Sequence, residues 1–153
     1  MQYFEQIKPA FSVIGKEGST LDGPGFIQNL WADANGHFAE VAPLAKVNED
    51  GSLVGVWGAM TDFSRSFQPW EDGFTKGLYL AGVECRDDAQ APEGWVKWSI
   101  PGYRYLVCEN GDGAFPAMLQ EMENLGLQLA GAVHDFTNPA NGKGYMYFPV
   151  EKL

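Results

Sequence analysis

The stretches Gly58–Phe63, GAMTDF, and Gly131–Phe136, GAVHDF, are one hexapeptide written twice, with Met60 changed to Val133 and Thr61 to His134. A six-residue near-match means little unless it extends outward, and this one does. Setting Pro9 over Pro101 puts Phe11 on Tyr103, Val13 on Tyr105, Ile14 on Leu106 and Glu17 on Glu109. Setting Leu78–Cys85, LYLAGVEC, over Tyr145–Lys152, YMYFPVEK, puts Val83 on Val150 and Glu84 on Glu151. Between these landmarks each half carries apolar residues at three- and four-residue spacing, the signature of an amphipathic helix. Phe26, Ile27, Leu30, Trp31, Ala34 and Phe38 form the first such stripe, and Phe115, Met118, Leu119, Met122 and Leu125 the second. Pro116 suits the first turn of the second helix and Gly126 its end. Landmarks in the same order in both halves imply a tandem duplication, without the period of a solenoid array.

Each half therefore reads strand, helix, strand, strand. The halves, about 1–86 and 95–153 of a single 1–153 domain, join at the polar turn-forming stretch Arg86–Gly94, RDDAQAPEG. The expected fold is α+β with pseudo-two-fold symmetry: a curved antiparallel sheet with both helices on one face. A sheet covered on one side leaves the other needing a cover or a ligand, so that face should hold an aromatic-lined groove.

Alternation along the strands assigns side chains to faces. Tyr79, Ala81 and Val83 match Met146, Phe148 and Val150, apolar in both halves, and belong under the helices. Leu80, Gly82 and Glu84, with Tyr145, Tyr147, Pro149 and Glu151, take the opposite face. In the repeated hexapeptide both sides mix apolar and polar residues. The reading favours as open the side of Trp57, Ala59, Thr61 and Phe63, matched by Ala130, Ala132, His134 and Phe136.

The net charge of −10, with ten scattered Lys and Arg, opposes direct binding to a phosphate backbone and favours cationic partners. No apolar run reaches the ~20 residues that cross a bilayer, so no membrane association is expected. The N-terminal MQYFEQIKPAF lacks a signal peptide's basic and apolar regions, which makes a cytoplasmic location the expectation. Cys85 and Cys108 lie in apolar strand-like runs and read as buried thiols. With two His and no ligand spacing, neither a metal site nor a cofactor is expected.

Pro9–Gly15 (PAFSVIG), Phe26–Trp31 (FIQNLW), Leu78–Glu84 (LYLAGVE) and Pro92–Val107 (PEGWVKWSIPGYRYLV) resemble the GyrI-like small-molecule-binding family. That family includes the effector-binding domains of AraC- and MerR-type regulators. The resemblance covers nearly the whole chain and is most specific from Tyr79 to Tyr103. It implies two strand–helix–strand–strand modules and a groove for cationic or planar aromatic compounds, walled by stacked aromatics and holding a carboxylate. It also implies, for some stand-alone members, hydrolysis of strained cyclopropane-containing DNA-alkylating compounds. Many members carry F-E-x-Y after the second helix, with its Glu in the groove. The corresponding Ala132–Val150 has no Glu, so the acidic role falls to Asp135 or to Glu84. The first family strand begins within about ten residues of Met1, which implies a stand-alone module without the regulators' helix-turn-helix.

The site candidates follow. Glu84 is the groove carboxylate, able to attract a cation or to activate water; otherwise it is a solvated strand end. Tyr147 is a phenol on the same face, able to donate a hydrogen bond or a proton. His134, where the repeat breaks, is either a hydrogen-bonded structural residue or a proton shuttle. Trp57, Phe63, Trp98, Tyr105 and Tyr145 are the candidate ligand-binding aromatics. Asp62 and Asp135 recur in both halves, suggesting a shared turn or cap role. Asn138–Gly144, NPANGKG, reads as a hairpin turn. The expected function is binding of a hydrophobic, planar or cationic small molecule, serving drug or toxin sequestration. The alternative is a hydrolase of cyclopropane-containing genotoxins, with Glu84 orienting water and Tyr147 or His134 protonating the leaving group. Oligomeric state is not legible.

Overall fold

The computed structural model describes residues 1–153. The strands are β1 (Phe4–Lys8), β2 (Phe11–Ser19), β3 (Val56–Thr61), β4 (Leu78–Cys85), β5 (Val96–Ile100), β6 (Tyr103–Glu109), β7 (His134–Thr137) and β8 (Gly144–Lys152). Helices α1 (Phe26–Gly36) and α3 (Ala114–Asn124) occupy corresponding places in the two halves. A four-residue turn, α2 (Glu71–Phe74), precedes β4. All eight strands form one antiparallel sheet in the order β1-β6-β8-β7-β3-β4-β2-β5. Exchanging each strand of the first half with its counterpart in the second reverses this order onto itself, so the pseudo-two-fold passes between β3 and β7.

The expected module gains a leading strand in each half, β1 and β5. Each leading strand pairs with the other half: β1 with β6, and β5 with β2. The links are short. Pro9 and Ala10 join β1 to β2, and Pro101 and Gly102 join β5 to β6. In each case the joined strands stand six positions apart in the sheet order. A flat sheet would separate them by roughly 29 Å at about 4.8 Å per strand. Three residue steps reach at most about 11 Å. The sheet therefore curls until its two edges approach, and the proline landmarks are the stitches that hold it curled. Proline suits such a link because it fixes φ and needs no ladder partner for a missing N–H.

Both helices cover the convex side. Phe26, Ile27, Leu30, Trp31 and Ala34 of α1 pack with Ile14, Tyr79, Ala81, Val83 and Cys85. Met118 and Met122 of α3 pack with Leu106, Cys108, Val133, Met146 and Phe148. Each helix is entered through a left-handed glycine, Gly25 (φ 79°) and Gly113 (φ 75°), another sign of the repeat. Cys85 and Cys108 are free, buried thiols in these two separate clusters.

The repeated hexapeptide now has a reason for its glycine. At Gly58 a Cβ would collide with the phenol of Tyr79, and at Gly131 with that of Tyr103. In each half a tyrosine crosses where the side chain is missing.

Candidate functional site

The concave side gathers a third cluster, of Phe11, Val13, Trp57, Ala59, Leu80, Trp98, Ile100, Tyr103, Tyr105, Val107 and Tyr147. Strands from both ends of the sheet order contribute, which only the curl allows. Trp57 is its hub. The indole lies 4.8 Å from the Phe11 ring, 4.6 Å from Phe136 and 5.0 Å from Tyr147, centroid to centroid. Tilted and edge-on contacts of this kind are favourable beyond the area they bury.

Glu84 lies among these rings and is 2% exposed. The indole N–H of Trp57 donates to its Oε1 at 3.0 Å. The Lys8 ammonium sits 3.2 Å from both carboxylate oxygens, with Lys46 4.0 Å from Oε2. Lys8 also stands over two ring faces, 4.5 Å from the centroid of Phe11 and 5.7 Å from that of Trp57. A cation over aromatic faces beside a carboxylate is held by the ring quadrupoles and by the charge together. Glu84 is therefore a buried, paired anion, not a solvated strand end.

Tyr147 is 5% exposed and donates its hydroxyl to Gln6 Oε1 at 2.9 Å. Burial, reinforced by the negative charge of Glu84, pushes its phenol up to about 12. Tyr105 packs edge-on to Tyr147, 5.2 Å between centroids, and is fully buried. Its hydroxyl has no hydrogen-bond partner. A buried orphan of this kind costs about 1–3 kcal/mol and marks a place where water or a ligand is wanted.

Trp98 is buried and donates its indole N–H to Glu17 Oε1 at 2.8 Å. Glu17 in turn takes a two-pronged contact from Arg65, 2.7 Å on each oxygen. The Arg65 guanidinium holds the Glu17 carboxyl below its usual range. Tyr145 packs at the margin of the cluster against Phe136, 6.4 Å between centroids.

His134 faces the same side, opposite Tyr147 in the β7–β8 register and edge-on to Trp57 at 6.4 Å. Its Nδ1 accepts the backbone N–H of Met60 at 3.1 Å, which puts the ring proton on Nε2. Burial pushes the imidazole down to about 3, so it stays neutral at pH 7. A shuttle near neutrality needs a pKa near 7, and the structural reading of His134 fits its surroundings.

One expectation needs correction. Phe63 is not on the concave cluster: β3 ends at Thr61, the chain turns at Asp62, and the ring is 37% exposed. The turn is fixed by Asp62, which accepts from Ser66 N–H at 2.8 Å, Ser66 Oγ at 2.6 Å and Thr61 Oγ1 at 3.0 Å. Phe67 of the same loop arrives instead, 6.0 Å from Trp98 and edge-on. Of the two carboxylates left open for the acidic role, Asp135 lies away from the concave cluster. It pairs with Met146, a convex-side residue, and its charge is felt by Tyr79 beneath α1. Burial there pushes its carboxyl up to about 6. The concave carboxylates are Glu84 and Glu17.

Sequence reading missed Lys8, Gln6, Phe11, Glu17 and Phe67. Glu17 was within reach, since it shares the alternation of Phe11 and Val13. Lys8 and Gln6 were not, because FEQIK has no apolar period to announce a strand.

No family model matches the chain, and no curated relative does. Solved structures match over nearly its full length. The C-terminal domain of EcmrR aligns with a TM-score of 0.66 at 14% identity, covering 99% of this chain and 98% of that one. EcmrR in complex with DNA in an open promoter complex aligns with a TM-score of 0.66 at 13% identity, and there the chain spans 58% of the EcmrR polypeptide. SAV2435 bound to tetraphenylphosphonium aligns with a TM-score of 0.58 at 18% identity, covering 99% and 94%. A Listeria innocua hydrolase aligns with a TM-score of 0.50 at 13% identity, covering 98% and 92%. The chain has the fold of the GyrI-like effector-binding domains. No helix is long and apolar enough to cross a membrane.

Proposed function

We propose that the chain binds a hydrophobic, planar or cationic small molecule on the concave face between its halves and serves to sequester such compounds as drugs or toxins. The observation that carries this reading is the Glu84 carboxylate, buried beside Trp57 and Phe11 with a cation already seated over both rings. That arrangement neutralises a positive charge in apolar surroundings, which is the difficult part of holding a lipophilic cation. The fold likeness to SAV2435, whose solved structure holds tetraphenylphosphonium, supports the same ligand class. The net charge of −10 adds a long-range pull on cations.

The hydrolytic alternative draws on the likeness to the Listeria innocua hydrolase. It needs Glu84 within hydrogen-bond reach of a proton donor that can serve the leaving group. The partners of Glu84 are Lys8 and Trp57, while Tyr147 is engaged by Gln6 and His134 by Met60. Binding is the better-supported reading.

The test is a tryptophan-fluorescence titration with tetraphenylphosphonium and a neutral planar aromatic compound. Saturable quenching by the cation, weakened in Glu84→Gln more than that by the neutral compound, is expected. No saturable response to either compound overturns the reading.

A further inference from the structure

Strand β1 supplies the concave face with two polar side chains, and they engage two of the three groups, Glu84, Tyr147 and His134, that sequence reading put forward as catalytic candidates. The Lys8 ammonium meets Glu84, and the Gln6 carbonyl oxygen accepts from Tyr147. Gln6 also lies opposite Tyr105 in the β1–β6 register. Two phenols thus share the neighbourhood of one amide, and the Tyr105 hydroxyl is the one left without a partner.

The strand that carries these groups is weakly tied. It has five residues, stands at the sheet edge and pairs only with β6. Phe4 and Ile7 on it are 51% and 65% exposed. Short edge strands with little buried apolar surface sit at the low end of local stability and open first.

We infer that β1 is the site's built-in occupant, with Lys8 in the place of a ligand's cation and Gln6 in that of its hydrogen-bond acceptor, and that ligand enters by displacing them. This deepens the binding function proposed above and rests on it. The ligand class follows from what is displaced: an organic cation that also carries a carbonyl or ether oxygen. Such a molecule returns a cation to Glu84 and the ring faces, and an acceptor to Tyr147. It can also give Tyr105 the partner it lacks. The exchange is nearly even in contacts made and broken, so affinity depends on how tightly Lys8 holds its place. A competitor that keeps the free site mostly closed lowers apparent affinity by the fraction open.

The experiment uses the full chain and Lys8→Met, which keeps an unbranched apolar side chain and removes the charge. The probes are benzoylcholine, a quaternary cation with an ester carbonyl, and benzyltrimethylammonium, which lacks the carbonyl. Affinities come from tryptophan fluorescence and strand opening from amide hydrogen exchange. Benzoylcholine should speed exchange at Phe4–Lys8 in the wild type and bind more tightly than benzyltrimethylammonium. Removing the competing charge should tighten binding by about tenfold. Benzoylcholine binding with exchange at Phe4–Lys8 unchanged, or Lys8→Met binding no more tightly, overturns this inference and leaves the binding function standing. No binding of either probe or of tetraphenylphosphonium, by either protein, overturns both. Should Lys8→Met fail to fold, exchange in the wild type decides alone.

Discussion

Trp57 and Glu84 are diagonal neighbours across β3 and β4, joined by an indole N–H to carboxylate hydrogen bond of 3.0 Å. Trp57 pairs with Gly82, two residues before Glu84 on the same face. The link is set by strand register, so it does not rely on a loop to hold it. A Cβ on Gly55, just before β3, would run into both the Phe136 ring and the Trp57 Nε1. The residues around this pair thus leave the indole one place to lie. The hydrogen bond orients Glu84 toward the rings while leaving its second oxygen for a cation.

Breaking the ion pair from its two ends should cost different amounts. Glu84→Gln leaves the Lys8 ammonium, 17% exposed, free to turn toward water. It should lower stability by about 1–3 kcal/mol. Lys8→Met strands a carboxylate that is 3% exposed, with only the more distant Lys46 to offset it. It should lower stability by about 3 kcal/mol or more. Urea unfolding followed by tryptophan fluorescence checks the order; equal losses would mean that Glu84 is better solvated than its surroundings imply.

A cyclopropane-bearing duocarmycin-type compound should survive incubation unchanged. Glu84 makes its hydrogen bonds to Lys8 and Trp57, and neither His134, pushed down to about 3, nor Tyr147, pushed up to about 12, is poised near neutrality to pass a proton. Mass spectrometry is the readout. Ring opening with the gain of one water, lost in Glu84→Gln, would reinstate the hydrolytic reading.

The duplication was legible because its landmarks are covalent necessities of the fold. Pro9 and Pro101 stitch the curled edges, and Gly58 and Gly131 admit tyrosines. Alternation assigned Glu84 and Tyr147 to the concave face, whereas around Trp57 both sides mix apolar and polar residues and alternation gave only a leaning. The leading strands did not show. β1 reads FEQIK, and a short edge strand with one solvated side has no period to display. Phe63 misled because alternation was carried past the last residue of β3, where the Asp62 turn ends it. Lys8 was invisible as a partner of Glu84, 76 residues away, since it takes the β2–β4 register and the turn of the chain at Pro9 and Ala10 to bring them together.

The two phenols next to Gln6 should respond oppositely to loss of the hydroxyl. Tyr105→Phe removes a buried group with no partner and should raise stability by about 1 kcal/mol. Tyr147→Phe removes the donor to Gln6 and should lower it by about 1 kcal/mol. Urea midpoints with unchanged m-values distinguish them. A destabilising Tyr105→Phe would mean that a bound water satisfies that hydroxyl in solution.

Stability between pH 4.5 and 6 should be nearly flat, because the buried His134 and the half-buried Asp135 oppose each other there. His134 is depressed from 6.5 to about 3. Its unfolded form takes a proton as pH falls below 6.5 and the folded form does not, so its contribution is full above 6.5 and lost on acidification. Asp135 is raised from 3.8 to about 6. Its folded form holds a proton that the unfolded form has released, so its contribution is full below 3.8 and lost as pH rises to 6. Each single group gives a slope of about 1.4 kcal/mol per pH unit, of opposite sign. Asp135→Asn should remove one slope and expose the other, leaving a variant that loses about 1.4 kcal/mol for each unit from pH 6 to 4.5. His134→Gln should do the reverse and gain stability over the same fall. Urea unfolding at several pH values measures both, and parallel curves for Asp135→Asn and wild type would place Asp135 in contact with water.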